Sequence, residues 1–221
     1  WTLSWFSVAW HDVAVRSALS LSLQVGLAAT ALALVLGTLV AFGLHRFRFF
    51  GRDSVSLLLV LPIALPGIVT GIALNNVFTS WFGGLTFFTV VLGHATFCIV
   101  VVFNNIVARL RRTGTSLEEA AMDLGAGPWQ TFRDVTFPAV RSALVAGALL
   151  AFALSFDETM ITLLVTGTDS TLPIRLWSMM RLGFAPDINA LVTIVLALTV
   201  VLCVIAVRQL LPADAGSAGA G

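Results

Sequence analysis

The chain contains no lysine: all twelve of its basic residues are arginine. A Walker-type phosphate loop needs a lysine to reach the nucleotide, so that site is excluded and any ATP-driven work falls to a partner. Charge of either sign is scarce. Charged residues make up 10 % of the 221, against 58 % hydrophobic, and the mean hydropathy is +1.01. A soluble domain carries roughly a quarter charged residues, so this chain cannot cover a water-facing surface and reads as an integral membrane protein. A formal net charge of +1 excludes the basic face that nucleic acid demands. Cysteine is nearly absent too. Cys98 and Cys203 each sit alone in an apolar run, which reads as buried hydrophobe rather than metal ligand or disulfide. The chain opens on Trp1 without a basic-then-apolar leader, so no signal peptide is expected in it.

What is abundant is uninterrupted apolar sequence. A helix needs about 20 apolar residues to cross roughly 30 Å of hydrocarbon. Residues 17–44 hold one such stretch and 54–108 another, free of charge and too long for one crossing. Trp81-Phe82-Gly83-Gly84 reads as a turn within it, giving spans near 54–78 and 87–108. Further spans are expected at 140–165 and 188–207, so the fold class is all-α, a polytopic bundle of five spans within residues 1–210. The Ala/Gly-rich 211–221 is expected to be a disordered tail. Nine arginines fall on one side of these spans and three (Arg16, Arg175, Arg181) on the other. The arginine-rich side marks the cytoplasm, which puts 109–139 and the C-terminus inside and the N-terminal segment outside. An odd number of spans with an outside start implies a further crossing before Trp1.

Within the spans, Leu61-Pro62 to Pro66-Gly67 and on to Gly71 combines two prolines with a G-x-x-x-G step. Proline frees carbonyls that neighbours must satisfy in lipid, and small residues permit close helix approach; a packing kink and a gating hinge both fit. Asn75, Asn76, His94, Asn104 and Asn105 are polar groups in or near spans, read as interhelical hydrogen-bonding groups, with His94 a satisfied core histidine.

Between the third and fourth spans lies a polar island, Ser116-Leu117-Glu118-Glu119-Ala120-Ala121-Met122-Asp123-Leu124-Gly125-Ala126, closing at Phe137-Pro138. Ser116 reads as an N-cap with Glu119 three residues on, a capping box. Glu118 and Glu119 suit the positive end of the helix dipole. Gly125 and Gly127-Pro128 stop the helix. The product is a short rigid knob with a flat alanine surface, which by these features alone is either a docking surface or a plain loop.

Glu119-Ala120-Ala121, then Gly125-Ala126, then Phe132, Val135 and Pro138, resembles the EAA loop of importer-type ABC transporter permeases. The resemblance runs from about Trp1 to Arg208, departing mildly at Phe137, where leucine is commoner. It implies that the loop is a coupling helix seated in a groove of an ATPase subunit. Glu119 would meet a basic group there, while Ala120, Ala121 and Gly125 permit close packing. It further implies a homologous second permease, two ABC ATPase subunits and an extracytoplasmic solute-binding protein, all at a bacterial cytoplasmic membrane. No cofactor belongs to this chain, since ATP is bound by the partners. Ala153-Leu154-Ser155-Phe156-Asp157-Glu158, Thr171-Leu172-Pro173-Ile174-Arg175-Leu176-Trp177-Ser178 and Pro186-Asp187-Ile188-Asn189-Ala190-Leu191 resemble the spermidine/putrescine subgroup. Permeases for ferric iron, thiosulfate or opines share much of that pattern.

Asp157 and Glu158 need their own account, because an acid at the bilayer centre costs about 2.5–3.5 kcal/mol on insertion scales. Asp157 lies seventeen residues beyond Val140, roughly 26 Å along a helix, near the outer edge of the core. Continuous helix places Glu158 on one face with Ser155, Thr159, Thr162 and Thr166. That stripe fits a hydrated cation path lined by Glu158, with Asp157 holding a neighbouring helix, or joining the path if the helix unwinds there. An ion pair with Arg175 or Arg181 is the structural alternative. Residues 172–183, with Trp177, Met179 and Met180, read either as an interfacial helix or as a surface for the external binding protein. A self-sufficient, gradient-driven transporter would tend to show inverted repeats, and none is visible. A membrane-embedded enzyme would need a nucleophile–base or metal constellation, which His94 without nearby carboxylates does not supply.

Overall fold

The computed structural model describes residues 4–47, 49–183 and 186–210, and every regular element among them is helical. Helix α1 spans Ser4–His11 and α2 spans Val13–Arg46. Between them Asp12 accepts the Ala14 N–H at 2.8 Å, a side-chain cap of the kind that satisfies an orphan donor at a helix start. Then come α3 (Arg52–Ala64), α4 (Gly67–Phe82) and α5 (Phe87–Thr113), followed by α6 (Ser116–Asp123) and α7 (Pro128–Thr131). A π-helical turn over Phe132–Thr136 leads into α8 (Phe137–Asp157), and α9 (Met160–Val165), α10 (Leu172–Leu182) and α11 (Pro186–Leu210) complete the chain.

Among the described residues, three stretches are long and apolar enough to cross a membrane: Val13–Arg46, Phe87–Thr113 and Pro128–Asp157. The α3–α4 pair makes a fourth, bent by 104°. The helix expected across 54–78 is therefore not continuous. Pro66 has no N–H to donate and disfavours helical geometry in the residue before it, and Leu65 is accordingly extended at ψ 144°. The helix expected across 140–165 is likewise broken, stopping at Asp157 before an extended Glu158 (ψ 120°) and restarting at Met160. The expected 188–207 stretch falls in α11, whose apolar part is Pro186–Val201. The anticipated tail, and the side chain of Cys203, lie outside the described residues.

The chain divides into two compact units, Trp1–Ser17 with Leu176–Gly221 and Ala18–Arg175. In the smaller, α1 packs on α11. The larger is built around α5, which packs chiefly on α8 and presents Val90, Cys98, Val102 and Ile106 to the interior. Small residues let α2 close on it: Ala29, Ala33 and Ala41 are fully buried, and a Cβ on Gly37 would stand 2.9 Å from the Ile99 carbonyl. The Cys98 thiol donates to the Ala151 carbonyl at 3.4 Å, consistent with a buried, inert cysteine. The N–H of Leu172, opening α10, donates to Ser22 Oγ on α2 at 2.8 Å.

Candidate functional site

The polar island folds as a self-contained knob. Its cap is Thr115 rather than the expected Ser116: α6 begins one residue earlier than the capping box would place it, and the Thr115 hydroxyl donates to Glu119 Oε1 at 2.8 Å. The Glu119 N–H in turn donates to the Thr115 carbonyl at 2.9 Å. At the other end Gly125 takes φ +90°. The Ala126 N–H reaches the Ala121 carbonyl (3.0 Å) and the Gly125 N–H reaches that of Met122 (2.9 Å). That pair of bonds is a Schellman ending, which needs a residue free to adopt left-handed geometry. Glu119, Ala120 and Gly125 are exposed, and Ala121 and Ala126 half-buried. Leu117, Leu124 and Trp129 are also exposed. Ala121, Gly125 and Ala126 line one side of a cavity of about 390 Å³ completed by Gln130, Asp134 and Val135.

The knob is anchored by aromatic rings. Phe132 stacks on Trp129 (5.7 Å between centroids), meets Phe42 of α2 edge-on (5.9 Å) and lies 6.3 Å from Phe137. Pro138 explains the π turn. A proline in ordinary α geometry removes one bond and clashes with the carbonyl four residues back, here Asp134. Widening the turn relieves this, and the Phe137 N–H bonds to Phe132 O instead. Arg109 Nε then donates to the Ala139 carbonyl at 2.7 Å, tying the base of α8 to the end of α5.

A second constellation surrounds the break after Asp157. Helix α9 is clasped at both ends. Glu158 Oε1 accepts the Ile161 N–H at 2.9 Å, so this carboxylate caps the short helix. At its far end the Leu164 and Val165 carbonyls, orphaned by helix termination, accept from Asn75 Nδ2 (2.5 Å) and Thr89 Oγ1 (3.1 Å). Gly71 of the G-x-x-x-G step lies against α9, and a Cβ there would meet Leu164 Cδ1 at 2.6 Å. Gly67, just past the Pro66 break, faces Glu158 Oε1 at 4.0 Å from its would-be Cβ. The two interrupted helices thus meet at their breaks.

His94 sits at the centre of this region, 1 % exposed, with Nδ1 2.7 Å from Ser155 Oγ and Nε2 2.7 Å from Thr162 Oγ1. The Thr162 hydroxyl donates to the Glu158 carbonyl at 2.8 Å. Its oxygen therefore accepts from Nε2–H, and Nδ1 accepts from Ser155. Ser155 and Thr162 stay on one side despite the break, both buried against this ring, while Thr159 and Glu158 are half-exposed and Asp157 is exposed at the end of α8. The unbroken helical stripe from Ser155 to Thr166 is not formed, because the chain unwinds at Glu158. Asn75 bonds across helices as expected, whereas Asn105 bonds within its own, to Val101 O at 2.9 Å.

An all-helical fold with two broken apolar helices and an ordered polar knob between spans fits a membrane-embedded permease. Residues 22–212 match the family described as the inner membrane component of binding-protein-dependent transport systems, and the chain belongs to that family. It is 38 % identical over 204 residues to the putrescine transport system permease protein PotI of Escherichia coli, covering 89 % of this chain and 73 % of that one. It is 33 % identical to the spermidine/putrescine permease protein PotC of the same species, covering 92 % and 77 %. Its fold is shared with the methionine ABC transporter MetNI in inward-facing conformations: TM-score 0.71 at 17 % identity, over 92 % of this chain and 96 % of that chain. Thr115, Thr136, Phe42 and Thr89 are contributors that sequence reasoning missed. A Thr-x-x-x-Glu spacing at 115–119 was the available signal for the first, and Pro138 for the π turn.

Proposed function

We propose that this chain is one of two permease subunits of an ATP-driven importer for polyamines. Two ABC ATPase subunits dock on its α6 and on that of its permease partner, and a solute-binding protein delivers cargo on the other side. The observation that supports coupling is α6 itself, an exposed helix closed by its own residues at both ends, so it holds its shape without a partner and presents Glu119, Ala120, Ala121, Gly125 and Ala126. Arginine asymmetry supports a bacterial inner-membrane topology with α6 and the C-terminus on the cytoplasmic side. ATP binding closes the ATPases, α6 moves with them, and Pro138 marks where that motion enters α8.

The polyamine reading draws on the names of the relatives and on the chemistry of the break. Asp157 projects from the C-terminal end of α8, where the helix dipole already favours cations. Half-exposed Glu158 and Thr159 complete the polar set for a protonated amine, while Ser155 and Thr162 are turned inward to His94. No covalent chemistry is assigned to this chain.

The complex, purified through a tag on this chain and reconstituted with its binding protein, is expected to bring down ATPase subunits and to take up putrescine only with ATP. Glu119→Arg is expected to abolish ATPase copurification, and Asp157→Asn to lower uptake about tenfold or more with assembly intact, as loss of a charge-assisted contact implies. Uptake driven by an ion gradient, by this chain alone, would overturn the proposal.

A further inference from the structure

The covalent route from α6 to α8 runs through Gly125-Ala126-Gly127-Pro128, and two glycines in four residues make it a soft connection. Gly125 is in left-handed geometry, and a Cβ on either glycine would meet nothing within 4 Å, so no side-chain packing stiffens the link at these two positions. A pull on α6 through this link alone would be absorbed by backbone rotation. Among the described residues, one side-chain hydrogen bond bypasses it. The Thr136 hydroxyl donates to Glu118 Oε1 at 2.6 Å, across eighteen residues of chain. Thr136 is 5 % exposed and Glu118 half-buried, between the end of α5 and the start of α8. A short, part-buried bond to a carboxyl oxygen is among the stronger hydrogen bonds a protein makes. It also lands on the last residue of the π turn, the place where α8 is least able to resist through its own ladder.

We infer that Glu118 and Thr136 form the strut that makes α6 and α8 move as one body, distinct from Glu119, which faces the partner. Glu118 is a positioning residue: it acts through Thr136, on the base of α8. The inference rests on reading α6 as the coupling helix.

The test uses the whole transporter, with its ATPase and second permease subunits, carrying spin labels at Asp123→Cys on α6 and Leu149→Cys on α8. In the otherwise wild-type chain the label separation is expected to stay fixed when ATP is added. With Thr136→Val it is expected to shift or broaden, and with Thr136→Ser to be fixed again. Putrescine taken up per ATP hydrolysed is expected to fall about fivefold or more in Thr136→Val, the lower range of coupling between linked sites, while ATPase copurification persists. Glu118→Ala is expected to match it, and the double variant to be no worse than either single one. A separation that changes on ATP addition in the wild-type background overturns the inference, as does a Thr136→Val chain with unchanged coupling, or one that fails only by losing its ATPase. A wild-type chain that copurifies no ATPase sinks the proposed function itself, and the strut with it.

Discussion

Thr162 illustrates how one hydroxyl orders a whole neighbourhood. By donating to the Glu158 carbonyl it fixes the direction of its bond with His94, and so the tautomer of a ring that reaches Ser155 on the other side of the break. Three side chains from two separate stretches are then mutually satisfied in an apolar surround, which is the condition for tolerating them there. His94→Leu keeps roughly the volume and removes the acceptor of the Ser155 hydroxyl and the donor to Thr162, which retains its bond to the Glu158 carbonyl. It is expected to destabilise the protein by about 2–3 kcal/mol, the desolvation cost of stranded polar groups, seen as a lower melting temperature in detergent. His94 was legible in the sequence as a satisfied interior histidine. Its partners were not, because Ser155 and Thr162 lie 61 and 68 residues away and seven residues apart they do not announce a shared ring.

At the level of elements, the sequence disclosed helix existence better than helix continuity. A run of apolar residues signals hydrocarbon whether or not the helix within it is broken, so 54–78 and 140–165 each read as one rod. Pro62 and Pro66 did warn of the first interruption. The second has no proline or glycine at Glu158. It coincides with Glu158 capping α9, and the loose carbonyls at the far end of α9 accept from Asn75 and Thr89, contacts that exist only once the chain is folded. The knob was more legible, since its stop signal is local. Gly125, just past α6 at φ +90°, is a position where a Cβ is strained whatever space surrounds it. Gly125→Ala is expected to cost about 1–2 kcal/mol of local stability, measurable as faster amide exchange over residues 121–126, with the spans unaffected.

Across the whole molecule, the decisive asymmetry is that all twelve basic residues are arginine and nine of them fall on one side of the spans expected from the sequence. Guanidinium is planar and makes directed bonds, and Arg109 uses this to reach the Ala139 carbonyl from α5. The topology this distribution implies is open to direct test. A cysteine placed at exposed Leu124 is expected to react with a membrane-impermeant maleimide only in inside-out vesicles, whereas one at exposed Trp81 reacts only in right-side-out cells. Reversal of that pattern would remove the basis for docking an ATPase at α6.

The wide turn before Pro138 holds one more residue than an ordinary helical turn would. An extra residue advances the helix by about 100° of azimuth. The proline therefore does more than mark the membrane boundary: it sets the compass bearing at which the knob leaves the span. A chain with alanine at 138 and an ordinary turn would carry every one of the same side chains, aimed at the wrong neighbour.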